Sequence, residues 1–173
     1  MPHYVSLGVT GSNMASVAMF IETCHDISEV GEHKQQVWNN IRSRNLPFGQ
    51  IRIDDELLVG LIGIDYPAAD GDQRDSWKSA LLDTGGYVVI HTHQDSGDFH
   101  HVTRIVKSIR EVSPNPIVIA VDHESMTENA KKDLLDEHFS SEEGVQITYC
   151  ALTQKASTHA VVKRLLEAII EKM

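Results

Sequence analysis

Short apolar runs of strand length recur along the chain, separated by longer segments in which apolar and polar residues mix. Runs of this length, bounded by polar residues, predict buried β-strands. The six runs are Tyr4 to Gly8, Phe48 to Ile53, Leu57 to Ile64, Tyr87 to Thr92, Ile117 to Val121 and Val145 to Cys150. Asp54 and Asp55 separate the second run from the third closely enough to predict a hairpin.

Three of the intervening segments carry apolar residues at positions i, i+3, i+4 and i+7, which form one stripe along a helix. The stripes are Met14, Val17, Ala18 and Ile21; Val102, Ile105, Val106 and Ile109; and Val162, Leu165, Leu166 and Ile169. Weaker helical patterns run from Gln73 to Leu82 and from Thr127 to His138. Strands that alternate with helices predict one α/β domain over residues 1–173, with a doubly wound, mostly parallel six-stranded sheet, one antiparallel edge strand, and helices on both faces.

The amino-acid composition limits the kinds of molecule that the chain is expected to bind and the compartment in which it is expected to lie. Fifteen Lys and Arg residues against 25 Asp and Glu residues leave a formal net charge of −10, which disfavours nucleic acid and anionic membranes. Neither a run of about 20 apolar residues nor the basic and apolar start of a signal peptide is found. We therefore expect a cytoplasmic protein, in which Cys24 and Cys150 are free thiols.

The segment Gly8 to Ala15 reads Gly-Val-Thr-Gly-Ser-Asn-Met-Ala and lies between the first apolar run and the first helix. In a doubly wound sheet this is the place of a phosphate-binding loop. Such a G-x-x-x-x-G-K-[ST] loop supplies glycines that turn amides toward phosphates, a lysine that balances charge, and a hydroxyl that holds magnesium. The last three positions here are Asn13, Met14 and Ala15, so the predicted loop lacks the lysine and the hydroxyl.

This segment still predicts a degenerate nucleotide site, because the start of a helix offers free amides and a positive dipole end. The candidate binding residues are Gly8, Thr10, Gly11, Ser12, Asn13, Met14, Ala15 and, after the fifth strand, Asp122. Met14 and Met19 are expected to fill the core, with Met14 in the space that phosphate would occupy.

Two further segments carry a family resemblance. Pro47-Phe48-Gly49-Gln50-Ile51 stands where a known family has Asp-Phe-Gly-x-Ile, and Leu61 to Pro67 stands where it has Leu-Phe-Gly-Thr-Pro-Gly-Gln. On these motifs and the order of segments, nearly the whole chain resembles the small Ras-like GTPases. It is most similar to bacterial GTPase-like proteins that accompany Roadblock-type partners, in the group similar to the signal-recognition-particle receptor β subunit.

Measured against that resemblance, the residues that perform the chemistry are replaced. Arg42 and Ser43 stand near the position of the family's threonine that closes over magnesium. Ala68, Ala69 and Asp70 fall near the positions of its glycine and glutamine, which contact the γ-phosphate and orient water. Asp122-His123-Glu124-Ser125 replaces the guanine-reading Asn-Lys-x-Asp, and Cys150-Ala151-Leu152 replaces Ser-Ala-Lys. The resemblance therefore implies a pseudo-GTPase that uses no cofactor and acts by protein recognition. A residual GTPase that binds GTP or GDP weakly with magnesium is the first alternative.

The resemblance also implies a protein partner. The two candidates for this partner are a Roadblock-type protein and a second copy of the chain, which would form a homodimer. Trp38 and Trp77 lie in the segments that correspond to the switch regions, where an exposed indole often anchors a partner. Phe48 and Tyr66 are added as candidate partner-binding residues. The other interpretation, that both tryptophans cap the core, remains equally open.

The second alternative is a metal-dependent hydrolase. His91-Thr92-His93-Gln94-Asp95, with His100 and His101 after it, resembles the His-x-His-x-Asp-His of metallo-β-lactamase-like hydrolases. Two histidines at i and i+2 on a strand point the same way, so His91 and His93 would share a zinc ion that Asp95 or His100 completes. Because Ser96 replaces the last histidine, ordinary surface imidazoles at the end of the fourth strand are the favoured interpretation.

Overall fold

A computed structural model of the protein describes residues 3–25, 47–66, 81–82, 84–92, 100–122, 139 and 143–173. The strands in this part of the chain are β1 (His3–Gly11), β2 (Phe48–Arg52), β3 (Leu57–Gly63), β4 (Gly86–His91), β5 (Ile117–Asp122) and β6 (Val145–Cys150). The helices are α1 (Met14–Cys24), α2 (His100–Val112) and α3 (Lys155–Lys172). All six predicted strands are confirmed, whereas the weaker helices predicted over 73–82 and 127–138 lie almost entirely outside the described residues.

The six strands form one sheet in the order β2-β3-β1-β4-β5-β6. The β2–β3 pair is antiparallel and the other four pairs are parallel. The predicted α/β class, with a mostly parallel sheet and an antiparallel strand at one edge, is confirmed.

The hairpin between β2 and β3 is confirmed as well. Oδ1 of Asp54 accepts hydrogen bonds from the backbone N–H groups of Glu56 and Leu57, both at 2.8 Å. An aspartate that binds the backbone two and three residues onward stabilises a tight turn. The pairing then runs from Arg52 opposite Leu58 to Phe48 opposite Ile62.

The buried side chains form two clusters. The first core cluster joins α1 and α3 to the sheet and includes Val17, Ile21, Val162 and Leu165. The second core cluster joins α2 to the sheet through Val102, Ile105, Val106 and Ile109, which are the four residues of the predicted stripe. Successive residues of β4 alternate between the clusters, because the side chains of a strand alternate in direction.

Two expectations for α1 differ from the structure. Met19, expected in the core, is 44% exposed, and the buried stripe includes Phe20, while the predicted Ala18 is only half-buried. Positions 17, 20, 21 and 24 face the sheet, so the neighbouring Met19 is turned toward solvent.

In the part of the chain that the structure describes, none of the helices is both long enough and apolar enough to cross a membrane.

Candidate functional site at the carboxyl edge of the sheet

The parallel strands all end at one side of the sheet, which we call the carboxyl edge. It carries Gly11 at the end of β1, Gly63 at the end of β3, His91 at the end of β4, Asp122 at the end of β5 and Cys150 at the end of β6. Open α/β sheets bind their ligands beyond this edge. The described residues of the predicted nucleotide site and His91 of the predicted metal site therefore belong to the same part of the molecule.

The predicted loop over Gly8 to Ala15 requires correction. β1 continues to Gly11, where it pairs with Ile90 of β4, and α1 begins at Met14. Only Ser12 and Asn13 connect the strand with the helix. Of the residues that were expected to curve around a phosphate, Gly8 to Gly11 are therefore extended backbone within the sheet, and Met14 and Ala15 are already helical.

Close packing explains both glycines of this segment. A Cβ atom at Gly8 would lie 2.8 Å from Cδ1 of Ile64 and 3.1 Å from Cδ1 of Tyr87. At Gly11 it would lie 2.8 Å from the backbone oxygen of Ile90. Glycine is the residue that permits such an approach, and here the approaching groups belong to the core and the neighbouring strand.

A backbone amide at the start of α1 is bonded within the same segment. Asn13 is the N-cap, with φ −122° and ψ 106°, and its Oδ1 accepts a hydrogen bond from the N–H of Ala15 at 2.9 Å. Capping by asparagine satisfies one of the four amides that a helix start leaves open. Met14 is half-buried and packs against the first core cluster, in agreement with its predicted role as core filler.

At the far side of the edge, Asp122 and Cys150 are opposite each other in the β5–β6 pair. Asp122 is 9% exposed and Cys150 is fully buried. Burial raises the pKa of the Cys150 thiol to about 11; a hydrogen bond with Ser157 opposes this rise and the Asp122 carboxylate adds to it. Cys150 is therefore a neutral thiol at physiological pH and a poor nucleophile or metal ligand.

Leu152 lies in the segment that replaces Ser-Ala-Lys, and its side chain is 5% exposed within the first core cluster. The backbone N–H of the preceding Ala151 donates to Oγ of Ser157 at 2.9 Å. This turn is thus held to the start of α3, and the leucine packs inward where the resemblance implies the lysine of the base-contacting Ser-Ala-Lys motif.

Two polar side chains at this edge are deeply buried on the side of α2. Thr10 is fully buried, and its Oγ1 has no hydrogen-bond partner among the described residues. His91 is 3% exposed in β4, two positions beyond Val89, which pairs with Thr10. The prediction that the histidines are surface imidazoles is therefore wrong for His91, although His100 and His101 are exposed at the start of α2.

The metal hypothesis cannot be assembled from the described residues. His93 and Asp95 lie outside them, and His100, which the prediction offers in place of Asp95, is exposed at the start of α2. Within the described ranges there is no group of three or more His, Cys, Asp or Glu side chains placed to hold a metal ion.

The candidate partner-binding residues are only partly described, since Trp38 and Trp77 lie outside the described ranges. Phe48 and Tyr66 are half-buried. The Tyr66 hydroxyl lies 3.4 Å from Oγ of Ser108 on α2, so this ring is held against the second core cluster.

Sequence reasoning missed three features of this region. The burial of Thr10 follows from the added length of β1, and the Cys150–Ser157 contact joins residues seven positions apart across a turn. The third is the ring of His25, whose Nδ1 accepts a hydrogen bond from the N–H of Gln50 at 2.9 Å and ties the end of α1 to β2. Of these three features, the sequence signalled only the first: the apolar run continues through Val9, which indicates that β1 extends beyond Gly8.

Comparison of the sequence with protein-family models and with curated proteins found no match.

Proposed function

We propose that this chain is a Ras-like pseudo-GTPase, which acts by binding a protein partner and neither binds nor hydrolyses nucleotide. The observation that carries the proposal is the continuation of β1 to Gly11, with the backbone oxygen of Ile90 packed against that glycine. A phosphate-binding loop needs several successive amides turned toward one anion, and a strand directs its amides into the ladder.

The neighbouring contacts support the same proposal. Asn13 caps the helix start, Met14 packs on the first core cluster, and Leu152 is buried at the base-contacting position. Each charge-assisted hydrogen bond that a nucleotide thereby loses is worth about 1.5 to 3 kcal/mol. Several such losses fall on one ligand, so micromolar affinity is not expected.

The Ras-like character of the fold is part of the proposal. It is supported by the strand order β2-β3-β1-β4-β5-β6 with an antiparallel β2, and by the two core clusters that take alternate residues of the central strands. We infer helices on both faces of the sheet, with α1 and α3 on one face and α2 on the other. A cytoplasmic location also belongs to the proposal.

Isothermal titration calorimetry with GTP, GDP and ATP in the presence of magnesium tests the nucleotide part. We expect no saturable heat from the wild-type chain. The double variant Met14→Lys with Ala15→Ser restores the two missing side chains. We expect that it also binds no nucleotide, because the backbone of β1 is unchanged. Saturable micromolar binding by the wild type would overturn the proposal, and binding by the double variant alone would show that side chains rather than backbone exclude nucleotide.

The partner proposed is a Roadblock-type protein, bound on the side of the sheet where β2 and the end of β3 lie. Phe48 begins β2 and is half-buried, and aromatic side chains are enriched where proteins bind one another. Titration of a Roadblock-type protein into the wild type should give binding that Phe48→Ala weakens by about tenfold or more, as expected for an aromatic anchor. Met19→Ala, at an exposed methionine on α1, is the matched control and should bind as the wild type does.

A further inference from the structure

The side chain of His25 joins the end of α1 to the strand β2. His25 follows the last residue of α1 and caps the helix, with φ −61° and ψ 128°, and its backbone N–H donates to the oxygen of Ile21 at 2.9 Å. Its ring makes a second contact, since Nδ1 accepts a hydrogen bond from the backbone N–H of Gln50 at 2.9 Å. His25 is thus bonded to the helix through its backbone and to the sheet through its ring.

Gly49 allows the ring to come this close to β2. A Cβ atom at Gly49 would lie 3.0 Å from Cγ2 of Ile21 and 3.4 Å from Cβ of His25. Glycine permits the last turn of α1 to approach the backbone of the strand. The position of the His25 ring is therefore set by close packing against the residue that precedes Gln50.

The N–H of Gln50 points away from β3. Just beyond β2, the N–H of Ile53 donates to the oxygen of Leu57 at 3.0 Å. In an antiparallel pair, residues bonded to the partner strand alternate with residues whose backbone groups point away from it. Ile51 is therefore bonded to β3, and Gln50 directs its N–H away from β3 to the ring of His25.

The hydrogen bond with Gln50 fixes the protonation state of the His25 ring. A backbone N–H can only donate, so Nδ1 is the acceptor and carries no proton. In the charged imidazolium both ring nitrogens carry a proton, so neither can accept, and turning the ring over does not restore the bond. The hydrogen bond between α1 and β2 therefore exists only while His25 is neutral.

The contacts of the same helix end with α3 do not need a neutral ring. Nε2 of His159 lies 2.9 Å from the backbone oxygen of Cys24, and Nζ of Lys155 donates to the backbone oxygen of His25 at 3.4 Å. A carbonyl oxygen can only accept, so Nε2 of His159 carries a proton in the neutral and in the charged ring. A positive charge on that ring strengthens the hydrogen bond, so acid favours the contact with α3.

The charged and titratable groups at this junction come from two helices. They are Lys155 and His159 on α3 and Glu22 in the last turn of α1, whereas Gly49 and Gln50 of β2 carry no charge. Among the described residues, no carboxylate forms an ion pair with His25. A charged ring thus has no acidic partner in this part of the chain that would hold it beside β2.

We propose that His25 is a proton-sensitive switch, in which protonation of its ring releases β2 from the end of α1 while α1 stays bonded to α3. Histidine side chains change charge between about pH 5 and pH 8. The half-buried position of His25 gives solvent protons access to it. Gln50 is fully buried, so its N–H cannot remain unsatisfied beside a charged ring, and the two elements separate until water reaches it.

Hydrogen exchange of the Gln50 amide at pH 8 and at pH 5 tests the proposal, with each rate expressed as a protection factor against the intrinsic rate at that pH. In the wild type we expect the protection factor to be lower at pH 5 by about tenfold, as the loss of one hydrogen bond implies. The amide of Ile51, which is bonded to β3, is the internal control and should be equally protected at both pH values.

Two outcomes of this exchange experiment overturn the proposal. One is equal protection of Gln50 at the two pH values. The other is an equal loss of protection at Ile51, which would show that β2 opens as a whole rather than at its contact with His25.

A pair of variants identifies the group that takes up the proton. In His25→Asn, Oδ1 takes the place of Nδ1 and accepts from the same N–H but does not titrate, so Gln50 should be equally protected at both pH values. His159→Gln is the matched control, because its Nε2 donates as the ring does, and it should keep the pH response of the wild type. A response that persists in His25→Asn, or one that disappears in His159→Gln, contradicts the proposal.

A measurement on the wild type alone needs no variant. The nitrogen–nitrogen scalar coupling across the hydrogen bond, between the Gln50 amide and Nδ1 of His25, reports this bond directly in an NMR experiment. We expect the coupling at pH 8 and its loss at pH 5. A coupling that persists at pH 5, or an Nδ1 that carries a proton at pH 8, overturns the proposal. None of these outcomes bears on the nucleotide calorimetry.

Discussion

The two ends of the sheet use their side chains in opposite ways. At the carboxyl edge, where the resemblance implies a phosphate-binding lysine, the uncharged Met14 packs against the core and Leu152 is buried in it. At the amino ends of β5 and β6, the described residues line a groove of about 580 Å³ that includes Arg110 and Lys172. These two cations are therefore at the end of the sheet opposite the one where the resemblance implies a nucleotide.

Those cations are also engaged by the backbone. Arg110 donates from Nη1 to the oxygen of Asn115 at 2.6 Å and from Nη2 to the oxygen of Glu143 at 3.0 Å, and Lys172 donates to the oxygen of Pro114. They satisfy carbonyls at the end of α2 and in the turn before β6. The comparison teaches that side chains stabilise the fold at both ends of the sheet. Apolar packing does so at the carboxyl edge, and charge-assisted hydrogen bonds do so at the amino ends of β5 and β6.

Gly11→Val gives the largest expected effect and tests the packing of the carboxyl edge. The new side chain meets the backbone oxygen of Ile90, which cannot move without disturbing β4. We expect the free energy of unfolding in urea to fall by about 3 kcal/mol or more. Gly85→Ala is the control, because its Cβ would meet Cγ1 of Val5 at an ordinary 3.6 Å, and it should change stability little. Equal stability of Gly11→Val and the wild type would contradict the continuation of β1.

The pH dependence of stability tests the burial of Cys150. Its pKa is raised from 9.0 to about 11 in the fold, so above pH 9 the unfolded chain loses this proton before the folded chain does. The contribution of the neutral thiol is present below pH 9 and is lost as the pH rises to 11. Over that window we expect stability to fall by between about 2 and 3 kcal/mol, at 1.36 kcal/mol for each pKa unit.

Urea unfolding at pH 8, 9, 10 and 11 provides the measurement. Cys150→Ala cannot ionise, so its stability should fall less steeply over the same window. An unchanged slope in this variant would assign the effect to another group.

Arg110→Ala gives the smallest of the three effects and tests the amino end. It removes the donors from the oxygens of Asn115 and Glu143, and we expect unfolding in urea to become easier by about 2 kcal/mol. Arg110→Lys keeps a positive charge but reaches fewer carbonyls, so it should recover only part of this loss. Full recovery by lysine would indicate that charge alone, rather than the forked geometry, stabilises this end.

Much of the fold followed from local pattern. The apolar runs predicted all six strands, and the stripe on α2 was correct at each of its four positions, because the period of a helix or strand is a property of neighbouring residues. The candidate site was predicted less well. The loop over Gly8 to Ala15 became strand as far as Gly11, and His91, expected at the surface, is buried.

The sequence by itself determined the alternation of strands and helices, the hairpin at Asp54, and the absence of a lysine and a hydroxyl after Asn13. Only the tertiary structure decided that Gly11 continues β1, that Leu152 enters the core, and that the ring of His25 binds an N–H group of β2. The physical reason is that these features arise between residues distant along the chain. The neighbours of a residue in sequence specify its period, whereas the neighbouring strand or helix specifies whether a glycine turns around a ligand or packs against a backbone oxygen.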